Sequence, residues 1–165
     1  MLICARKIDE LDFDALMEIY KEGNVENGAY FFPDETPERQ YVLALESFCK
    51  YLADDFFRKE DAQYWILSNS GQYLSALRLE AYEDGLLLEA LETRPDCRRQ
   101  GYAKKLIQSV LLQIDAGTRI YSHVSKKNAA SIATHLGCRF EQYLDCVIES
   151  DGTRNDNLIT VVITA

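Results

Sequence analysis

The spacing of apolar residues changes period repeatedly along the chain, and each change marks an element. Leu2 to Ile8 reads as a strand. Asp12 or Asp14 then caps a helix with Leu16, Met17, Ile19 and Tyr20 at its apolar positions. Between Gly23 and Glu35 the pattern lapses. There Asn24, Asn27, Gly28 and Pro33 surround the aromatic run Tyr30-Phe31-Phe32, which predicts a loop. Thr36-Pro37 has the order of an N-cap and a first helical residue. Val42, Leu45, Phe48, Cys49, Leu52 and Phe56 give the helix that follows one apolar face.

Strand-like runs come next, from Gln63 to Ser68 and from Tyr73 to Tyr82, around Asn69-Ser70-Gly71, a good hairpin turn. Glu83-Asp84-Gly85 turns the chain into a third strand, Leu86 to Thr93. Ala103, Leu106, Ile107, Val110, Leu111 and Ile114 then recur at spacings of three and four, a helix expected to end near Gly117. Its other face carries Lys104, Lys105, Gln108 and Gln113. Arg119 to Val124 is a strand and Asn128 to Leu136 a short helix. Arg139 to Ile148 and Asn157 to Thr164 are late strands joined by a turn at Asp151-Gly152. The order β-α-α-β-β-β-α-β-α-β-β predicts one mixed α/β domain spanning residues 1–165, without repeats or linkers.

Composition narrows the partners. At 165 residues and 47% apolar content the chain suffices for one domain with a real core. Eighteen basic against 27 acidic residues, a net charge of −9, argue against general affinity for nucleic acid. Arg6, Lys7, Asp9 and Glu10 interrupt the amino terminus before any apolar signal core, and no stretch approaches the roughly 20 apolar residues of a membrane span. A cytoplasmic location without membrane attachment is expected. Cys4, Cys49, Cys97, Cys138 and Cys146 are odd in number and scattered, which supports neither a disulfide framework nor a metal site.

Against that acidic background, Arg98-Arg99-Gln100-Gly101-Tyr102-Ala103 is a local exception, placed between an apolar strand and a helix. Gly101 and Ala103 let main-chain N–H groups approach an anion. The helix dipole and the two arginines favour the same charge.

In three features the sequence resembles the GNAT superfamily of acyl-CoA N-acyltransferases. They are the Leu88-Glu89-Ala90-Leu91-Glu92-Thr93-Arg94-Pro95 strand end, the Arg98–Ala103 turn, and Ser122-His123-Val124 followed by Asn128-Ala129-Ala130-Ser131-Ile132. The order of elements fits over nearly the whole chain. The resemblance implies a mixed, mostly antiparallel sheet of six or seven strands with about four flanking helices, splayed between the fourth and fifth strands. Acetyl-CoA would be the co-substrate, with its pantetheine arm in the gap beside the main chain of Leu91, Glu92 and Thr93. Arg98, Arg99, Gln100, Gly101, Tyr102, Ala103 and Lys104 would hold the pyrophosphate, with Asn128 and Ser131 near the arm or the phosphates. Asn128 is also a sound helix N-cap.

The implied chemistry is direct attack of a neutral amine on a thioester in a ternary complex, with an acid for the departing thiolate. The family's acid is commonly a tyrosine seven residues after the asparagine, and here that position holds His135. Glu89 and His123 are the candidate bases. Two-residue alternation puts Glu89 on the strand face of Leu91 and Thr93. Acceptor specificity would come from Glu22 to Glu35 and from the residues around Glu149 to Asn157. Tyr30-Phe31-Phe32 either walls the acceptor or anchors its loop in the core. The partner is then a small-molecule or peptide amine, no metal is needed, and homodimerisation stays open. A non-catalytic acyl-CoA-binding sensor or interaction domain of the same fold is the alternative. A dinucleotide fold and a P-loop are disfavoured, because neither glycine pattern is present.

Overall fold

The computed structural model describes residues 1–149 and 151–165. The first strand, β1 (Leu2–Ala5), ends where Ile8–Glu10 coil into a 3-10 turn, so it is shorter than expected. In α1 (Phe13–Ile19) Asp12 is the cap, its carboxylate accepting the Ala15 N–H at 3.0 Å. The expected loop is instead a second helix, α2 (Lys21–Phe31), and α3 (Pro37–Asp54) starts at the Thr36 cap. Three strands follow, β2 (Gln63–Asn69), β3 (Gln72–Tyr82) and β4 (Gly85–Thr93), and then α4 (Tyr102–Leu111). The remaining elements are β5 (Arg119–Ser125), α5 (Ala129–Gly137), β6 (Glu141–Leu144), β7 (Val147–Ile148), β8 (Arg154–Asn155) and β9 (Leu158–Thr164).

The main sheet runs β1-β2-β3-β4-β5-β9-β6. β4 and β5 pair in parallel and the other neighbours are antiparallel. The late strand expected from Arg139 to Ile148 divides: β6 joins the sheet, whereas β7 leaves it to pair with β8. Gly152, at φ +84°, supplies the expected turn, while Ser150 of that hairpin lies outside the described residues.

Two apolar clusters sit on opposite sheet faces. Leu106, Ile107 and Val110 of α4 pack on Leu77, Leu79, Leu88, Ile120, Val124 and Val161. At about 1.5–3 kcal/mol for each fully buried aliphatic side chain, the α4 stripe is a principal anchor of the fold. Behind the sheet, Leu16 and Ile19 of α1 and Leu52 of α3 pack on Tyr64, Ile66 and Ala76. α4 stops at Leu111, short of Gly117, whose N–H instead donates to the carbonyl of Ala165 at 2.9 Å.

α2 defeats its composition by packing closely against α3. A Cβ on Gly28 would lie 2.6 Å from the Gln40 carbonyl oxygen, so glycine lets this helix touch α3. Only Asn24 and Gly28 of α2 are buried. Tyr30 and Phe31 stay 79% and 65% exposed, so they do not anchor a loop in the core.

Candidate functional site

The site begins where the parallel pair comes apart. Gly85 to Leu88 pair with Arg119 to Ser122, and past those residues β4 and β5 share no bridge. Gly85 permits the tight end of that pairing, since a Cβ there would collide with the Arg119 carbonyl oxygen. The parting coincides with a bulge in β4. Arg78 faces Glu89 and Ala76 faces Glu92, so β4 spends two residues, Ala90 and Leu91, where β3 spends one, and Ala90 takes φ +50°. From the end of α1, the Tyr20 hydroxyl donates to the Ala90 carbonyl at 2.7 Å and holds the bulge.

The bulge corrects the expected alternation. Leu91 packs toward α4, and Thr93 meets Ser75 through hydroxyls 3.0 Å apart. Glu89 lies on the opposite face, where the Arg78 guanidinium approaches its Oε1 at 3.0 Å while stacking on Tyr51 and Phe56. Glu89 therefore does not share a face with Leu91 and Thr93.

Beyond the parting lies a main-chain anion cradle. Arg99 and Gly101 sit at φ +62° and +80°, turning successive N–H groups the same way as α4 begins. Among the described residues, none of the N–H groups from Arg99 through Lys104 has a protein acceptor; the ladder of α4 starts with Lys105 donating to Gly101. A Cβ on Gly101 would meet no protein atom within 4 Å, so its backbone angle is what demands glycine.

The two arginines diverge. Arg98 is tied down: Nη1 donates to Glu22 of α2 at 2.5 Å, Nη2 reaches Glu92 at 3.3 Å, and Nε donates to the Thr93 carbonyl at 3.3 Å. No such ion pair engages Arg99 among the described residues, leaving it the freer cation at the cradle.

Every residue expected at the cofactor site except Gln100 lines one groove of 660 Å³ running from the end of β4 across the cradle to the start of α5. Gln100 instead reaches back toward the Asp96 carbonyl at 3.5 Å. Asn128 both lines the groove and caps α5, its Oδ1 accepting the Ser131 N–H at 3.0 Å. Ala130 and Thr134 complete the wall and were not anticipated. Their spacing of four on the helix that Asn128 opens is the signal that would have found them.

His135 is 2% exposed and does not line the groove. Its Nδ1 lies 2.8 Å from the Ser131 carbonyl, so Nδ1 carries the proton and donates; Nε2 is then a buried acceptor without a partner among the described residues. Burial pushes its pKa down, only partly offset by the Ser131 bond. A ring in that state stays neutral, and its single N–H is already donated to Ser131, so it has no proton to give a thiolate.

His123 stands on β5 where the strands part, edge-on to Tyr82 with ring centroids 5.3 Å apart. That contact puts it on the sheet face of Arg78 and Glu89. Burial lowers its pKa against an opposing pull from Glu149, and its Nε2 is also buried without a partner among the described residues. A neutral imidazole there is able to take up a proton.

Compared with known families, residues 14–138 match the model of the Acetyltransferase (GNAT) family. No curated protein matches the chain. Among solved structures it is similar to PaiA N-acetyltransferase from Thermoplasma acidophilum in complex with coenzyme A, at TM-score 0.64 and 10% identity over 100% of this chain and 99% of that one. It also resembles a ribosomal-protein-alanine N-acetyltransferase from Escherichia coli, with TM-score 0.59, 17% identity, and 99% and 94% of the two chains covered. A spermidine N-acetyltransferase chimera from Vibrio cholerae follows at TM-score 0.58 and 15% identity, over 99% and 95%. At such identities the likeness to these structures is one of fold.

Proposed function

The chain belongs to the acetyltransferase (GNAT) family, and we propose that it moves an acetyl group from acetyl-CoA to a primary amine by direct attack in a ternary complex. The observation that carries the proposal is the groove joining the parted strands to the cradle. Six consecutive N–H groups without protein acceptors suit a pyrophosphate, and the β4 main chain beyond Leu88, unpaired on its β5 side, suits an arm bearing amides. Acetyl-CoA supplies the activated thioester.

The protein's own part is to align and to move protons. Leu91, Glu92 and Thr93 would hold the arm in register through their main chain, while Arg99 and the N–H groups through Lys104 hold the phosphates. Asn128, Ser131 and Thr134 would close the opposite wall. On the other sheet face, His123 is the base we assign, because its neutral ring borders the parted strands. Glu89 would hold the incoming ammonium there with the carboxylate that Arg78 orients. His135, with its one N–H already donated to Ser131, is assigned a structural role instead of the acid role. As the C–N bond forms the C–S bond breaks, and coenzyme A would leave as its thiolate, taking a proton from water. Residues 1–165 would act as a single catalytic domain in the cytoplasm, on a small-molecule or peptide amine.

The test is acetyl-CoA-dependent thiol release across a panel of amines, peptides and aminated antibiotics, with Gly101→Glu as control. Glutamate would be strained at φ +80° and would set a carboxylate against the phosphates, so a loss of CoA affinity of at least a hundredfold is expected. CoA binding unchanged in Gly101→Glu would overturn the cradle assignment. CoA binding without turnover on any amine would favour a sensor over an enzyme.

A further inference from the structure

A second concavity, 310 Å³, lies on the sheet face of Glu89 and His123, over the part of the sheet where β4 and β5 are still paired. Its walls are unlike those of the cradle. Tyr82 and Tyr121 meet at 5.3 Å between ring centroids, and Tyr121 and Tyr143 at 5.9 Å. The Arg119 guanidinium stacks on both Tyr121 and Tyr143, at 5.0 and 5.3 Å. Asp84 neutralises that arginine at 3.0 Å and accepts the Tyr121 hydroxyl.

The outer wall is apolar and open to water. Tyr143, Leu144 and Ile148 are 51%, 39% and 48% exposed, and all three border this one hollow. Large apolar groups gathered around a concave, aromatic-floored site, with Arg119 and Asp84 paired to each other and Glu83 exposed at the rim, are the mark of a ligand pocket with a planar or branched apolar occupant.

Its place on the sheet says which ligand. Tyr121, in the pocket, and His123, at the parted strands, are two residues apart on β5, a separation of about 7 Å. Tyr82 touches both rings and joins the two places. We infer that the acceptor is a primary amine bearing an aromatic or branched apolar group, with a linker of a few bonds between that group and the nitrogen. This builds on the transferase reading: the amine sits beside His123 while the apolar group fills the pocket of Tyr82, Tyr121 and Tyr143. A compact polar amine leaves that pocket wet and gains nothing from it.

The inference is tested with phenylalkylamines of increasing linker length against alkylamines of matching length, measuring both transfer from acetyl-CoA and equilibrium binding to the CoA-loaded protein. Phenylalkylamines should show KM and Kd roughly tenfold lower than their alkyl counterparts, the size of effect a stacked ring gives. Tyr143→Ala should erase most of that advantage, bringing the phenylalkylamine KM and Kd up toward the alkylamine values. Ile148→Trp, which fills the hollow from its exposed rim, should do the same without removing a ring. An aryl preference that is absent, or that survives both substitutions, overturns the inference and leaves the transferase reading intact. Aryl binding that both substitutions weaken, without acetyl transfer to any amine, keeps the pocket and overturns the transferase reading.

Discussion

His135 and His123 are both kept from charging by burial, but only His123 is proposed as a base. Below the ordinary histidine value of 6.5 the unfolded chain takes up protons that these two rings resist. Stability is therefore full above that pH and falls as pH drops through it, by up to about 1.4 kcal/mol per pH unit for each ring. In His135→Phe, denaturant midpoints between pH 7 and pH 5 should fall less steeply than in the parent, with turnover within about threefold. A hundredfold loss of turnover would restore the acid role that the family resemblance implies. For His123→Ala we expect at least a hundredfold loss of kcat, and in the parent an acid limb of the kcat/KM profile centred below the ordinary histidine value.

Elements announced by local chemistry were legible, and those made by tertiary contact were not. The Asn69–Gly71 hairpin, the Thr36 cap, the α4 stripe and the Asn128 cap all depend on residues a few positions apart, so the order of letters reveals them. So too the cradle, whose glycine and helix start are contiguous. α2 was hidden because its two glycines and two asparagines disfavour helix, while the contact that holds it lies on α3 at Gln40. The orientation of Glu89 was hidden for a related reason. A one-residue bulge at Ala90 reverses every face assignment past it, and its cause includes a tyrosine seventy positions earlier. Gly28→Val should consequently push α2 off α3, costing about 1–3 kcal/mol in equilibrium unfolding. Because Glu22 of α2 holds Arg98, the same change should loosen the cradle. An unaltered unfolding midpoint would show that the helix does not need its close approach.

Across the whole molecule, the two concavities lie on opposite sheet faces, which the proposed reaction would use for donor and acceptor. α4 and α5 flank the groove of the cradle, while Glu89, His123 and Tyr121 share the other face. The net charge of −9 also draws ammonium groups toward the protein, an effect that rising salt should weaken in the on-rate more than in the turnover step. The parted β4–β5 pair has one more consequence. A strand whose amides and carbonyls lack a neighbour is an invitation to any other extended chain, and most sheets confine that hazard to their rims. Here it runs through the middle. Coenzyme A at about a hundredfold over its Kd should add about 2.7 kcal/mol and raise the melting temperature by roughly 5–10 °C. It should also slow aggregation during refolding, because the arm occupies the place of an absent strand.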